Sequence, residues 1–170
     1  MWCQSAAGQS DAPVLWDYHV IVAWYLDDGS PGFIIDLDST LPFPCPIDEY
    51  IASALQPSHD AFQSHPHLQR RYRVVQASQY LANFSSDRSH MRVEGADGRL
   101  EYTATPPTYR CISTSTCQNN LQRYLDMRLT EASENGLDIS TLCGDFGAVL
   151  SESSFIQLAL AKELVLQSVH

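Results

Sequence analysis

Two apolar stretches meet at Asp28-Gly29, and they constrain this chain more than anything else in it. Residues 14–26, VLWDYHVIVAWYL, are rich in Val, Ile, Tyr and Trp, and residues 33–38, FIIDLD, return with the same bias. Branched and aromatic side chains suit a pleated surface, and Asp-Gly suits a two-residue hairpin turn. With Asp28 and Gly29 as the loop, Asp27 faces Ser30 and paired residue numbers sum to 57. His19 then lies opposite Asp38, and Asp36 lies opposite Ile21, diagonal to His19. Side chains alternate along a strand, so all three share a face. The hairpin alone gathers an imidazole and two carboxylates. A carboxylate on one ring nitrogen sets the tautomer and raises the basicity of the other, which a general base needs. Pattern alone leaves open which aspartate orients His19 and which caps the turn into Leu41-Pro42.

The remaining chain reads as a mixture of helices and strands within one domain, residues 1–170. Residues 1–13 are small and polar and read as a loose lead-in. IDEYIASALQ, from residue 47, carries Ile47, Tyr50, Ile51 and Leu55 at helical spacing. RRYRVVQAS reads as a short strand, and SQYLANFSS as a short helix capped by Ser78. Residues 95–110 read as loop with at most one edge strand, and 119–129 as a further helix. Residues 130–146 read as an inserted surface loop. The tail SESSFIQLALAKELVLQ is the clearest helix, with Ser151 or Ser153 at its cap.

Composition narrows the chemistry. Net charge is −10 and the only lysine is Lys162. Phosphate contact needs clustered positive charge, so nucleic-acid binding is not expected, and Arg70, Arg71 and Arg73 are too few to change that. An acidic surface favours cationic groups, a protein α-ammonium among them. No apolar run reaches the roughly 20 residues that cross a bilayer, and the first residues lack a signal peptide's basic and apolar regions. We therefore expect a soluble intracellular protein. Cys3, Cys45, Cys111, Cys117 and Cys143 show no C-x-x-C spacing, so they read as reduced thiols rather than a zinc site. His59, His65 and His67 lie in a polar loop and read as solvated. Asp87-Arg88-Ser89 reads as a salt-bridged turn. There is no G-x-S-x-G, P-loop or G-x-G-x-x-G.

Several blocks together resemble one family. They are W-D-Y-H at 16–19, F-I-x-D-L-D at 33–38, L-P-F-P-C at 41–45 and F-S-S-D-R-S-H-M at 84–91. Arg70-Arg71 with Tyr-Arg-Val, P-P-x-Y-x-C at 106–111 and F-G-A-V-L-S at 146–151 complete the set. In motif and order they are similar to the protein N-terminal glutamine amidohydrolases, with a hairpin loop one residue longer than that family's. The resemblance implies an α+β, papain/transglutaminase-like fold, an antiparallel sheet with packed helices. It implies a Cys-His-Asp triad that converts an N-terminal glutamine to glutamate and ammonia without metal or other cofactor. It places the histidine at His19 and the aspartate at Asp36. Asp38 is then a candidate for binding the substrate's α-ammonium group. A monomer in cytoplasm and nucleus, with Gln-start proteins or peptides as substrates, is implied too.

The third triad member is the difficulty. The family's thiol stands in a Tyr-Cys-Glu-Glu-Asn setting at a helix start, where the helix terminus lowers thiol pKa. No cysteine here has that setting. Cys3 is followed by Gln4-Ser5, and Cys45 lies in a block the family does not use for attack. The expectation is a chain truncated before its nucleophile, inactive as written, with sheet residues such as Ile21 and Ile34, or their neighbours, left facing water. At about 25 cal/mol per Å² such exposure would cost several kcal/mol. A non-catalytic relative that binds protein N-termini or a protein partner is the alternative.

Overall fold

The computed structural model describes residues 1–8, 11–26, 28, 30–60, 64–65, 68–129 and 144–161. The expected insertion falls mostly outside these residues, as do Cys143, His67 and the end of the expected tail helix. Within the expected single domain the chain divides into two compact units. One takes residues 1–72 with 149–161, the other 73–128 with 144–148.

The first unit is built on a three-stranded antiparallel sheet in the order β1 (Val22–Trp24), β2 (Phe33–Ile35), β3 (Cys45–Pro46). Val22 pairs with Ile35, Ala23 with Ile34 and Trp24 with Phe33. This is the register that the Asp28-Gly29 turn predicts. The strands themselves are much shorter than the apolar runs, because regular pairing covers only these three rungs. His19 and Asp36 therefore lie just past the ladder, beyond its regular hydrogen bonds. The Phe43–Pro44 peptide before β3 is cis.

Helix α1 (Ile47–Tyr50) continues into a π-helical turn, Ile51–Leu55. Its periodic residues Ile47, Tyr50, Ile51 and Leu55 are all buried, together with Ile34, Cys45, Val149, Leu150, Phe155 and Leu158. Sheet burial divides strand by strand. Ile34, on the central strand, is 1% exposed, whereas Val20 is 62% exposed, and Val22 and Trp24 on edge strand β1 also face solvent. The expectation of uncovered apolar side chains thus fails at Ile34 and holds at the neighbours of Ile21. Helix α1 and its π-turn cover the middle of the sheet but not its edge.

The first eight residues are not loose. Gln4 bridges Ser39, Trp2 N–H donates to Ala54 O (2.9 Å) and Thr40 N–H donates to Cys3 O (2.8 Å). The α-ammonium group of Met1 donates to Val14 O at 2.7 Å. Composition gives no sign of backbone pairing of this kind. Strands β4 (Arg71–Val74) and β7 (Ala148–Ser151) form a two-stranded sheet. The last helix of the described chain is Glu152–Leu160, and Ser151 caps it by accepting from Ser154 N–H at 3.2 Å.

In the second unit, Ala77–Asn83 forms α2, with Ser78 inside the helix rather than at its cap. Strand β6 (Leu100–Tyr102) is the one strand within residues 95–110, as expected there, and it forms a hairpin with β5 (Arg92–Glu94), which lies just before them. Helix α3 is Leu121–Leu125. Tyr80, Phe84, Tyr124 and Phe146 pack ring against ring. Arg73 donates to the carbonyls of Tyr124, Asp126 and Phe146, so a residue of the basic cluster serves internal packing. Helices with small antiparallel sheets agree with the α+β class. Among the described residues no helix is long and apolar enough to cross a membrane.

Candidate active site

His19 Nε2–H donates to Asp36 Oδ1 at 2.8 Å. The hairpin register makes this contact possible, since Asp36 is the diagonal neighbour of His19. The structure selects Asp36 over Asp38 at this position. Asp38 contributes its backbone N–H to Asp36 Oδ1 at 3.0 Å, and its own carboxylate accepts from Ala6 N–H at 3.3 Å. Ser39, not an aspartate, caps the following turn by accepting from Leu41 N–H.

Asp36 is 3% exposed, which would be costly for an unpaired carboxylate. It is not unpaired. Oδ1 takes His19 and the Asp38 N–H, while Oδ2 takes Tyr50 Oη–H at 2.7 Å and Gln4 Nε2–H at 3.2 Å. Two donors on each oxygen match what a carboxylate can accept. Burial pushes the Asp36 carboxyl up, but the bonds from Tyr50, Asp38, Gln4 and His19 together outweigh it and hold the group below its ordinary value. The same contact, with burial first, drives the Tyr50 phenol far up. Asp36 is therefore a fixed anion, and His19 is held by it with Nδ1 as the remaining ring nitrogen. Such a pair can accept and return a proton at Nδ1.

Trp16 lies over the imidazole, ring centroids 4.9 Å apart and planes 20° from parallel. Its indole Nε1–H donates to Gln4 Oε1 at 3.3 Å. Sequence reasoning missed Gln4 and the polar end of Tyr50. Gln4 sat in a stretch read as lead-in. Tyr50 fitted an apolar helix face, although a phenol buried there needs a hydroxyl partner.

Tyr50→Phe removes one donor from a buried anion, and is expected to cost about 2 kcal/mol. It should also bring the folded Asp36 carboxyl up toward its ordinary value. The stabilisation that depends on Asp36 charge is then smaller, and its loss, which still begins near the ordinary carboxyl value, is complete at higher pH than in the wild type. Acid unfolding followed by tryptophan fluorescence checks this, and a midpoint that does not rise sinks it.

Cys3 S–H points to Ser53 O at 3.8 Å. Cys45 is buried, and burial, then Glu49 and Asp48, push its thiol up. His59 and His65 are exposed, with the ring of His59 against Trp2. Among the described residues no group of three or more His, Cys, Asp or Glu could hold a metal ion. In the second unit the Asp87-Arg88-Ser89 turn is not a salt bridge. Asp87 accepts from Ser89 N–H and Asn119, while Arg88, in the left-handed region at φ 62°, donates to the carbonyls of Pro107, Tyr109 and Arg110.

Comparison with known proteins draws these features together. The profile of the family described as N-terminal glutamine amidase matches residues 1–159. Curated relatives named protein N-terminal glutamine amidohydrolase include one from Bos taurus, 42% identical over 127 residues, covering 75% of this chain and 57% of that protein. One from Homo sapiens is 41% identical over 127 residues, covering 75% and 58%, and one from Arabidopsis thaliana is 40% identical over 129 residues, covering 75% and 55%. The chain thus spans a little over half the length of these relatives. The matched segment includes both the lead-in that carries Gln4 and the hairpin that joins His19 to Asp36, and the chain belongs to the N-terminal glutamine amidase family.

Proposed function

We propose that this chain carries the proton-handling half of a cysteine amidohydrolase that converts N-terminal glutamine of proteins to glutamate. The observation that supports it most is the 2.8 Å bond between His19 and a buried, fully bonded Asp36. In this reading a thiolate attacks the carboxamide carbon of the glutamine side chain. The C–S bond forms, the C–N bond breaks, and His19 hands the departing nitrogen the proton taken from the thiol, so that ammonia leaves. Water then attacks the thioester, His19 accepts its proton and returns it to the sulfur, and glutamate is released. Asp36 holds the Nε2–H tautomer throughout, leaving Nδ1 to face the thiol. Asp38, with Oδ2 on Ala6, offers Oδ1 to the substrate α-ammonium group.

The thiol in this proposal is the family's Tyr-Cys-Glu-Glu-Asn cysteine, which none of the five cysteines here replaces. The α+β arrangement fits the papain/transglutaminase-like class, and family membership supports a monomer of cytoplasm and nucleus acting on Gln-start proteins. Joined to that Tyr-Cys-Glu-Glu-Asn segment, the chain is expected to release ammonia from a peptide beginning with Gln. A peptide carrying Gln only internally should give none, and His19→Ala should abolish release. The 170-residue chain alone is expected to give no turnover, and ammonia release lost on Cys3→Ala would move the nucleophile to Cys3. A folded fusion that binds the peptide without turnover would favour the binding-only reading.

A further inference from the structure

Three side chains, Gln4, Trp16 and Asp36, close a ring with the His19 imidazole, and one of them is an amide whose two ends cannot be exchanged. Gln4 is 2% exposed. Its Nε2–H donates to Asp36 Oδ2 and its Oε1 accepts from the Trp16 indole N–H. A carboxylate only accepts and an indole N–H only donates, so the opposite orientation of the amide would lose both bonds. Nε2 is further held by the carbonyls of Trp2 (3.3 Å) and Cys3 (3.5 Å). Trp16 in turn lies flat on His19, and His19 returns to Asp36.

We propose that Gln4 and Trp16 are positioning residues for His19, with Gln4 locking the indole plane that holds the imidazole against Asp36. The two constraints on the ring are different in kind. Asp36 fixes Nε2 as a point and sets the tautomer, but a single hydrogen bond leaves the ring free to rock about that bond. A flat indole 4.9 Å away restricts the rocking, and it does so only while the indole itself is fixed. Trp16 is partly exposed, so packing alone fixes it weakly, and the buried amide supplies the missing constraint. Leucine at position 4 would fill similar space with neither bond. Glutamate there would set a second carboxylate against Asp36.

This role rests on the proposed proton transfer at His19, but its test does not need turnover. In the 170-residue chain labelled with ¹⁵N, the His19 ring should show the Nε2–H tautomer, and the Trp16 indole proton should exchange slowly with solvent. Gln4→Leu should speed indole exchange by at least about tenfold and broaden or split the His19 ring signals, with the backbone amide spectrum otherwise kept. Should Gln4→Leu fail to fold, Trp16→Phe serves instead. It keeps a flat ring at a partly exposed position while removing the N–H together with the pyrrole part of the indole, and it should produce the same change at His19. Unchanged His19 ring signals in a folded Gln4→Leu or Trp16→Phe chain would overturn the proposal. In the fusion carrying the thiol segment, both variants should lower kcat on the order of 10-fold to 100-fold with KM within about twofold, the signature of misdirected proton transfer rather than lost binding. Ring signals that change where the fusion shows no turnover would leave the positioning intact and sink the amidohydrolase reading instead.

Discussion

Gly147→Ala is expected to destabilise the fold by about 4 kcal/mol or more. Gly147 has φ 57°, in the left-handed region, where an L side chain costs about 1–2 kcal/mol. Steric overlap costs more. A Cβ at this position would stand 1.9 Å from Val74 O and 2.8 Å from Val74 C and Val75 Cα. All three are main-chain atoms, so no rotamer change relieves the overlap. Retreat of the glycine segment is opposed as well. Gly147 N–H donates to Gly144 O, Arg73 donates to Phe146 O, and the Arg123 guanidinium lies over the Phe146 ring. Gly98→Ala is the matched control. It has φ 78° but meets nothing nearer than Glu94 Oε1 at 3.9 Å, so it should lose only the backbone preference, about 1 kcal/mol. Urea unfolding of the two variants checks the difference, and equal losses would show that the close approach to Val74 carries no energy.

The glycine of F-G-A-V-L-S shows how far the sequence can be read. The block was recognisable as a resemblance, but the reason for its glycine lies 73 positions away along the chain, at a carbonyl that no local pattern points to. The hairpin is the opposite case. A two-residue turn and period-two alternation are local, so the register, and with it the meeting of His19 with the Asp36–Asp38 segment, followed from counting alone. The α1 core followed from helical spacing for the same reason. What counting left open was which carboxylate takes His19. That choice depends on Tyr50 and Gln4 donating to Asp36 Oδ2, and both arrive from segments with no hairpin register to read. The lead-in shows the same limit. Small polar residues suggest a loose coil, yet backbone hydrogen bonds to Asp38, Thr40 and Ala54 are indifferent to side-chain polarity. Likewise F-S-S-D-R-S-H-M and P-P-x-Y-x-C read as separate blocks, while Arg88 ties the first to the carbonyls of the second.

Asp36→Asn is expected to cost about 3 kcal/mol of stability near neutral pH. The carboxylate accepts from four donors. A carboxamide has one acceptor oxygen, so whichever way it turns, its NH₂ group faces two of those donors. Bonds to a charged acceptor contribute about 1.5–3 kcal/mol each, and the easier burial of a neutral group returns part of that loss. The sign of the remainder follows from the titration. Burial pushes the Asp36 carboxyl up, yet the bonds outweigh it and the folded group lies below its ordinary value of 3.8. Its charge therefore contributes stability that is fully present above about pH 4, and that is lost as pH falls from 3.8 through the lower folded value. The wild type and the Asn variant should differ fully at pH 7 and converge below pH 3.8, and urea unfolding across that range tests both statements. Equal stability at pH 7 would mean the donors do not favour the charge. The chemistry should suffer more than the fold. An NH₂ group facing His19 Nε2 favours the tautomer with its proton on Nδ1, which then cannot accept one from a thiol. In the fusion carrying the thiol segment, kcat should fall on the order of 1,000-fold or more, as expected when a triad imidazole is held in the wrong tautomer. Loss of stability with kcat retained would make the His19–Asp36 pair a structural contact and remove the ground on which the proposed proton transfer stands.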